Sequence, residues 1–132
     1  MTDGQIITDL YEAFGKGDIP TVLAAMDTGM VWDEAEGFMY GGRYHGPYGV
    51  AEGVFSRFGK EWEGFTVTPY KIIDDGAGDV VAFGTYTGTY LPTGKSMSVH
   101  FCHSWTLRDG KAIGFVQYVD TLVIAKQLGL IQ

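Results

Sequence analysis

The chain has 132 residues, of which 45% are hydrophobic and 14% aromatic, and it carries a formal net charge of −7. This length and composition predict a single domain over residues 1–132 that buries roughly two-thirds of the surface of the unfolded chain, and they exclude an intrinsically disordered protein. The negative charge disfavours nucleic acid and anionic lipid as partners, because both carry charge of the same sign.

The N-terminal residues and the single cysteine indicate the cellular compartment of the protein. One cysteine cannot form an intramolecular disulfide, so the sequence gives no support for an oxidising compartment. Asp3, Asp9 and Glu12 stand where a signal peptide would have a basic start and an apolar run. No apolar stretch reaches the roughly 20 residues needed to cross a bilayer. We therefore expect a cytoplasmic protein that does not bind a membrane.

Two helices are predicted at the start of the chain. Thr2 and Gln5 have the spacing of a capping box, and apolar residues recur at helical intervals until Gly15-Lys16-Gly17 ends the first helix. Asp18 is a suitable N-cap for a second helix, which is expected to end at Thr28-Gly29. The apolar stripe of the first helix consists of Ile6, Ile7, Leu10, Tyr11 and Phe14.

A strand, an irregular stretch and a third helix are predicted next. The strand runs from Met30 to Glu34, and the irregular stretch, Ala35 to Gly46, is rich in glycine and aromatic residues. Pro47 suits the first turn of the third helix, which Gly49 and Gly53 weaken by about 1 kcal/mol each relative to alanine. The apolar stripe of this helix consists of Val50, Val54, Phe55 and Phe58.

The second half of the chain is predicted to form strands. Turn sequences at 75–78, 92–94 and 109–110 separate four segments of strand-like pattern, namely 65–73, 80–90, 96–108 and 112–120. Helices followed by an antiparallel meander predict an α+β fold with the helices packed on one face of the sheet.

The last hairpin places a histidine among apolar side chains. One face of the strand carries Val99, Phe101, His103, Trp105 and Leu107. Because side chains alternate along a strand, His103 is expected to point into the core. A β-bulge near Val116-Gln117 would bring Tyr118 and Asp120 to the same inner face. The sequence therefore predicts a carboxylate and an imidazole that converge in an apolar cup.

The order of elements and several motifs resemble the NTF2-like superfamily and, within it, the SnoaL-like group, which includes polyketide cyclases. The matching stretches are Val31-Trp32, residues 40–47, residues 84–90, His103-Ser104-Trp105, residues 109–111 and residues 118–121. The resemblance implies a cystatin-like roll in which three N-terminal helices pack on a curved, mostly antiparallel sheet that forms a cone with an internal cavity. It also implies a homodimer.

Three residues match catalytic positions of related families. In SnoaL-type cyclases the general acid/base is an aspartate at the end of the last strand, which Asp120 matches. In steroid isomerases a protonated aspartate stabilises the oxyanion, and His103 falls at that place. Asp33 is the nearest match to the isomerase base. The isomerase tyrosine falls near Leu10, with Tyr11 expected to point elsewhere, and no inward arginine supports the Asp-Arg-Asp set of limonene-epoxide hydrolases.

Each candidate also has a structural interpretation. Asp120 could cap the following helix, and His103 could be a buried neutral histidine held by a tyrosine hydroxyl. The crowded carboxylates Asp33, Glu34 and Glu36 leave open which one faces the cavity. The aromatic residues proposed to line a ligand site, which could instead be ordinary core, are Trp32, Phe38, Tyr40, Phe58, Tyr86, Trp105 and Tyr118. The three histidines lack a spacing that suggests a metal site.

These residues lead to one leading hypothesis and two alternatives. The first is a cofactor-independent isomerase, cyclase or dehydratase that moves a proton between Asp120 and a small hydrophobic carbonyl compound. In this hypothesis His103 stabilises the developing oxyanion, and Tyr86 or Tyr118 orients the ligand. The second is a non-catalytic binder of an apolar metabolite. The third is a structural homodimer module without a ligand pocket of roughly 300 Å³ or more.

Overall fold

The computed structural model describes residues 1–131, and a curved, open sheet of six strands carries its fold. The strands are β1 (Met26–Glu34), β2 (Gly42–His45), β3 (Trp62–Asp74), β4 (Asp79–Tyr90), β5 (Lys95–Arg108) and β6 (Lys111–Val119). The helices are α1 (Asp3–Gly15), α2 (Ile19–Ala24), α3 (Gly46–Val50), α4 (Ser56–Glu61) and α5 (Thr121–Gln127). The predicted α+β class is confirmed.

The strand order is β2-β1-β6-β5-β4-β3. The pairs along the chain from β3 to β6 are antiparallel, as the meander predicts, whereas β1 lies parallel to β6. The N-terminal strand therefore joins the sheet next to the last strand, and a site between these two strands combines residues from opposite ends of the chain.

Helix α1 covers the inner face of the sheet. The Thr2 hydroxyl accepts a hydrogen bond of 3.1 Å from the backbone N–H of Gln5, which confirms the predicted cap. Ile7, Leu10 and Tyr11 are buried on the stripe that faces the sheet. The helix thereby brings one polar group, the Tyr11 hydroxyl, into the interior.

The region between α2 and α3 differs from the sequence prediction. Helix α2 ends at Ala24 and β1 already begins at Met26, so the strand is longer than its alternating core from Met30 to Glu34. Part of the stretch predicted to be irregular forms β2, which pairs antiparallel with β1. This four-residue strand is mostly exposed, so its sequence lacks the apolar alternation that would have revealed it.

The predicted third helix has a π-helical middle. Helix α3 continues through a π-helical turn at Ala51–Phe55 into α4. This turn is where the ring of Tyr44 lies against Gly53. π-helical turns add a residue to a helix and occur frequently at functional sites. Here the turn and α4 together present Val54, Phe55 and Phe58 to the interior.

A β-bulge in β6 lies upstream of the predicted position. Thr106 pairs with Gly114 and Leu107 with Ala112, so Ile113 is the extra residue, and the register is regular from Gly114 to Val119. The prediction of a bulge near Val116-Gln117 is therefore wrong in position. Because side chains alternate beyond the bulge, Gln117 points inward and Tyr118 outward.

The close approach of Tyr44 to Gly53 gives a test of this packing. A Cβ atom at residue 53 would overlap the Tyr44 ring, so we expect Gly53→Ala to lower the free energy of unfolding by about 1–3 kcal/mol. Gly59→Ala is the matched control in α4, where a Cβ meets no atom within 4 Å and should raise stability by up to about 1 kcal/mol. Urea unfolding of both variants measures the contrast, and equal effects would contradict the packing.

Candidate active site

The concave side of the sheet and the helices enclose a cavity of about 40 Å³. Its wall is mostly apolar, and the predicted ligand residues that lie on it are Trp32, Phe38, Phe58, Tyr86 and Trp105. Its polar side chains are Tyr11, Glu34, Tyr86, His103 and Gln117. The cavity is therefore an aromatic chamber with a small group of polar side chains on its wall.

His103 is buried at the centre of this polar group, as the sequence predicts. Its Nδ1 lies 2.6 Å from the Tyr11 hydroxyl, and its Nε2 forms a hydrogen bond with the Tyr86 hydroxyl. Burial lowers the pKa of His103 to about 3, so the imidazole is neutral near neutral pH. Burial also raises the pKa of Tyr11 and Tyr86, so both phenols remain protonated.

Gln117 and Trp105 extend the hydrogen bonds around His103. The Gln117 side-chain oxygen accepts from the backbone N–H of Ala35 at 3.0 Å, which directs its amide nitrogen to donate to the Tyr86 hydroxyl at 3.0 Å. At the other end, the Trp105 indole N–H donates to the Tyr11 hydroxyl at 3.0 Å. Tyr11, His103 and Tyr86 are therefore held in place from both sides.

Glu34 is the carboxylate that reaches the interior. Its side chain is on the same face of β1 as Met30 and Trp32, and the residue is only 5% exposed. The Trp32 indole N–H donates to Oε1 at 2.7 Å, while Oε2 is the one buried side-chain atom within residues 1–131 that lacks a hydrogen-bond partner. Burial raises the pKa of Glu34 to about 7, although the Trp32 hydrogen bond and the nearby side-chain amide of Gln117 oppose the rise.

An open cleft of about 420 Å³ lies beside β1, β2 and β6, next to the C-terminal end of β1. Glu34 and Gln117 line both this cleft and the inner cavity, so these two side chains stand between the two spaces. The inner cavity alone is smaller than the roughly 300 Å³ expected of a ligand pocket.

Asp120 does not enter the cavity, so the predicted convergence with His103 is wrong. Its side chain is exposed and accepts a hydrogen bond of 3.0 Å from the backbone N–H of Val123 as the N-cap of α5. The physical reason is the bulge at Ile113, which leaves Asp120 on the outer parity. Tyr118 follows the same parity and is 58% exposed, so it does not line the cavity either.

Two further predicted residues lie outside the cavity wall. Asp33 forms a two-point ion pair with Arg43, at 2.7 and 3.1 Å, and the hydrogen bond from Arg43 keeps the pKa of Asp33 below its usual value. Asp33 lines the outer cleft. Tyr40 is buried in the neighbouring aromatic cluster, where its hydroxyl accepts from the Trp62 indole at 2.9 Å.

The sequence interpretation missed Tyr11, Gln117 and the inward direction of Glu34. Tyr11 belongs to the same helical stripe as Leu10, and this stripe was a signal that it faces the sheet, so the expectation that it points elsewhere is wrong. The alternation of Met30 and Trp32 was a signal for Glu34. Gln117 had no such signal, because its direction depends on the bulge.

The described part of the chain contains no cluster suited to a metal ion. Within residues 1–131, no three His, Cys, Asp or Glu side chains are close enough together to hold one. In the same residues, no helix is long and apolar enough to cross a membrane.

Protonation of Glu34 links stability to pH. Because its folded-state pKa of about 7 exceeds the ordinary value of 4.5, the folded protein binds more protons than the unfolded chain between these values. Its contribution to stability is therefore fully present below pH 4.5 and is lost as the pH rises to 7, by about 3 kcal/mol. We expect the difference in unfolding free energy between Glu34→Gln and wild type to change by this amount across the window.

The pH dependence that His103 adds to the free energy of unfolding has the opposite sign. Because its folded-state pKa is lowered from 6.5, its contribution to stability is lost as the pH falls below 6.5. Comparing variant and wild type at each pH removes this effect from the difference. Glu36→Gln is the control, since Glu36 is exposed, and it should follow the wild type. A Glu34→Gln difference that stays constant with pH would contradict the burial of an uncompensated carboxylate.

Comparisons with known proteins agree with this architecture. The chain matches the SnoaL-like domain family over residues 7–115. An NTF2-like protein from Burkholderia thailandensis is 34% identical, with 97% of this chain and 98% of that chain covered and a TM-score of 0.92. A second NTF2-like protein, of unknown function, from Burkholderia pseudomallei is 27% identical, with coverages of 97% and 98% and a TM-score of 0.86.

The structure of TerC co-crystallized with polyporic acid is also similar to this chain. It is 30% identical, with 96% of this chain and 98% of that chain covered and a TM-score of 0.85. None of the curated proteins compared with the chain matches it. The family match, the sequence identities and the shared fold together establish that this chain belongs to the SnoaL-like family of NTF2-like proteins.

Proposed function

We propose that the protein is a cofactor-independent acid–base catalyst that transfers a proton on a small, largely apolar carbonyl compound. The single observation that carries the proposal is Glu34, a buried carboxylate with one oxygen fixed by Trp32 and the other without a partner. Proton transfer next to a carbonyl needs a base whose pKa is near the working pH. This role moves from Asp120, the base expected from the sequence, to Glu34.

The protonation states around Glu34 support this role. With a pKa of about 7, Glu34 is divided between carboxylate and carboxylic acid near neutral pH, so it can take a proton and return it. The phenols of Tyr11 and Tyr86 keep their hydrogens, and the phenol that does not donate to His103 can donate to the oxygen of an enolate-like intermediate. His103 supports this donation by holding both phenols, not as an acid itself.

The shape of the site and one relative support a small-molecule substrate. Trp32 and Phe115 both line the cavity and stack on each other with ring centroids 3.6 Å apart, and aromatic linings of this kind suit an apolar ligand. TerC, at 30% identity, was crystallized with polyporic acid. The inner cavity of about 40 Å³ is smaller than such a ligand, so binding requires displacement of Glu34 or Gln117 towards the outer cleft or movement of the aromatic wall.

Hydrogen exchange next to a carbonyl tests the proposed reaction. We expect the wild-type protein to accelerate deuterium incorporation into at least one member of a panel of cyclic ketones in D₂O, followed by proton NMR. Glu34→Gln should reduce this acceleration by about 100-fold to 10,000-fold, because it removes the base but keeps the size of the side chain.

Two controls separate catalysis from binding. Glu63→Gln changes an exposed carboxylate that lines neither the cavity nor the cleft and should retain the wild-type exchange rate. Titration with polyporic acid, followed by tryptophan fluorescence, measures binding independently of chemistry, because Trp32 and Trp105 line the cavity. If polyporic acid binds but no ketone exchanges faster than in buffer, the site is that of a binder and the catalytic proposal fails.

We also propose a homodimer formed through the outer face of the sheet. Tyr70 and Tyr118 are 63% and 58% exposed there, and the ring of Tyr70 meets His100 edge-on. We expect sedimentation equilibrium to give twice the mass of one chain, and Tyr118→Lys to shift the protein towards monomer. The control is Tyr48→Lys, on α3 and 82% exposed. A monomeric wild type would contradict this proposal.

A further inference from the structure

The polar groups around His103 carry more hydrogens than their mutual contacts use. Four contacts join them, from Trp105 to Tyr11, Tyr11 to His103, His103 to Tyr86 and Gln117 to Tyr86. The indole, the two phenols and the neutral imidazole bring one hydrogen each, and Gln117 directs one amide hydrogen to Tyr86. Five hydrogens therefore serve four contacts, and one hydrogen has no acceptor within the group.

The position of this extra hydrogen depends on the tautomer of His103. With the ring proton on Nε2, His103 donates to Tyr86 and accepts from Tyr11, so the hydrogen of Tyr86 is free. With the proton on Nδ1, His103 donates to Tyr11 and accepts from Tyr86, so the hydrogen of Tyr11 is free. Both tyrosines line the cavity, and both arrangements satisfy every contact.

We propose that Tyr11, His103 and Tyr86 form a neutral proton relay that donates a hydrogen to a ligand oxygen at either of two places in the cavity. The ligand group it serves is a hydrogen-bond acceptor, such as a carbonyl or enolate oxygen. The relay goes beyond the proposed function, which needs only one fixed donor, and it rests on that function only for the chemistry of the ligand.

The relay moves protons without leaving a charge on the protein. As the O–H bond of Tyr86 breaks and its hydrogen passes to the ligand oxygen, the Nε2 hydrogen moves to the Tyr86 oxygen. The Tyr11 hydrogen moves to Nδ1, and the Tyr11 oxygen takes a proton from the ligand at its own end. One proton enters at Tyr11 and one leaves at Tyr86, and the reverse sequence runs from the other tautomer.

Removing one phenol at a time should drive His103 to opposite tautomers. In Tyr11→Phe a hydrogen on Nδ1 would be fixed against the new ring without an acceptor, whereas the hydroxyl hydrogen of Tyr86 can rotate into the cavity. The proton should therefore reside on Nε2 and donate to Tyr86. In Tyr86→Phe the same argument places it on Nδ1, where it donates to Tyr11. The free phenolic hydrogen then moves from Tyr86 in the first variant to Tyr11 in the second.

Nitrogen-15 NMR distinguishes the two tautomers, since protonated and unprotonated ring nitrogens resonate in separate regions. A His45→Gln/His100→Gln background leaves His103 as the only histidine, and both replaced residues are exposed. In this background we expect Nε2 to carry the proton in Tyr11→Phe and Nδ1 to carry it in Tyr86→Phe. Tyr48→Phe removes an exposed phenol and should leave the spectrum unchanged.

Fluorinated tyrosine gives a second measurement that keeps every hydroxyl group. Fluorination beside the phenol oxygen makes it a stronger donor, so 3-fluorotyrosine at position 11 should favour the proton on Nε2, and at position 86 on Nδ1. The relay is overturned if the same ring nitrogen of His103 carries the proton in both Tyr→Phe variants, or at both positions of 3-fluorotyrosine. A cationic imidazole would overturn it as well. This result is independent of the ketone exchange assay, so the failure of one proposal can be told from the failure of the other.

Discussion

The pairing of β1 with β6 is the constraint on which the candidate site depends. Parallel pairing sets Trp32 beside Phe115, and the extra residue Ile113 fixes the parity of the rest of β6. Glu34 and Gln117 therefore meet at the same end of the interior. A slip of one residue would turn each of these side chains to the opposite face, because side-chain direction alternates along a strand. The register, more than any single contact, selects which polar groups enter the aromatic chamber.

The interior holds a hydrogen-bonded cluster around His103 and, beside it, a carboxylate oxygen of Glu34 that has no hydrogen-bond partner. Hydrogen bonds join His103, Tyr11, Tyr86 and Gln117, and they offset most of the cost of burying these side chains. Glu34 keeps an oxygen without a partner, which makes its ionised form costly in the folded state. A fold selected for stability alone would favour an apolar residue at that position, and conflicts of this kind concentrate at functional sites. The unpaired oxygen is for this reason the strongest pointer to function in the structure.

The sequence was a good guide to the fold and a partial guide to the site. Alternation and turn signals located the meander and the inward direction of His103, because these features depend on local spacing. The inward direction of Glu34 was equally readable from β1, although Asp33 was preferred on the basis of resemblance. The direction of Asp120 was not readable, because one extra residue anywhere in β6 reverses it and the pairing partner decides where the bulge lies. Side chains that reach the site through tertiary pairing are thus the ones that sequence patterns misplace.

The proposed function requires that Glu34 be a buried carboxylate that takes up a proton near neutral pH. The most direct measurement is a carbon-13 NMR titration of the glutamate side-chain carboxyl carbons, with the Glu34 signal identified by its loss in Glu34→Gln. We expect this carbon to titrate with a midpoint near pH 7. A midpoint at the ordinary value of 4.5 would mean that Glu34 is solvated and paired like a surface carboxylate, and it would contradict both the burial and the proposed base.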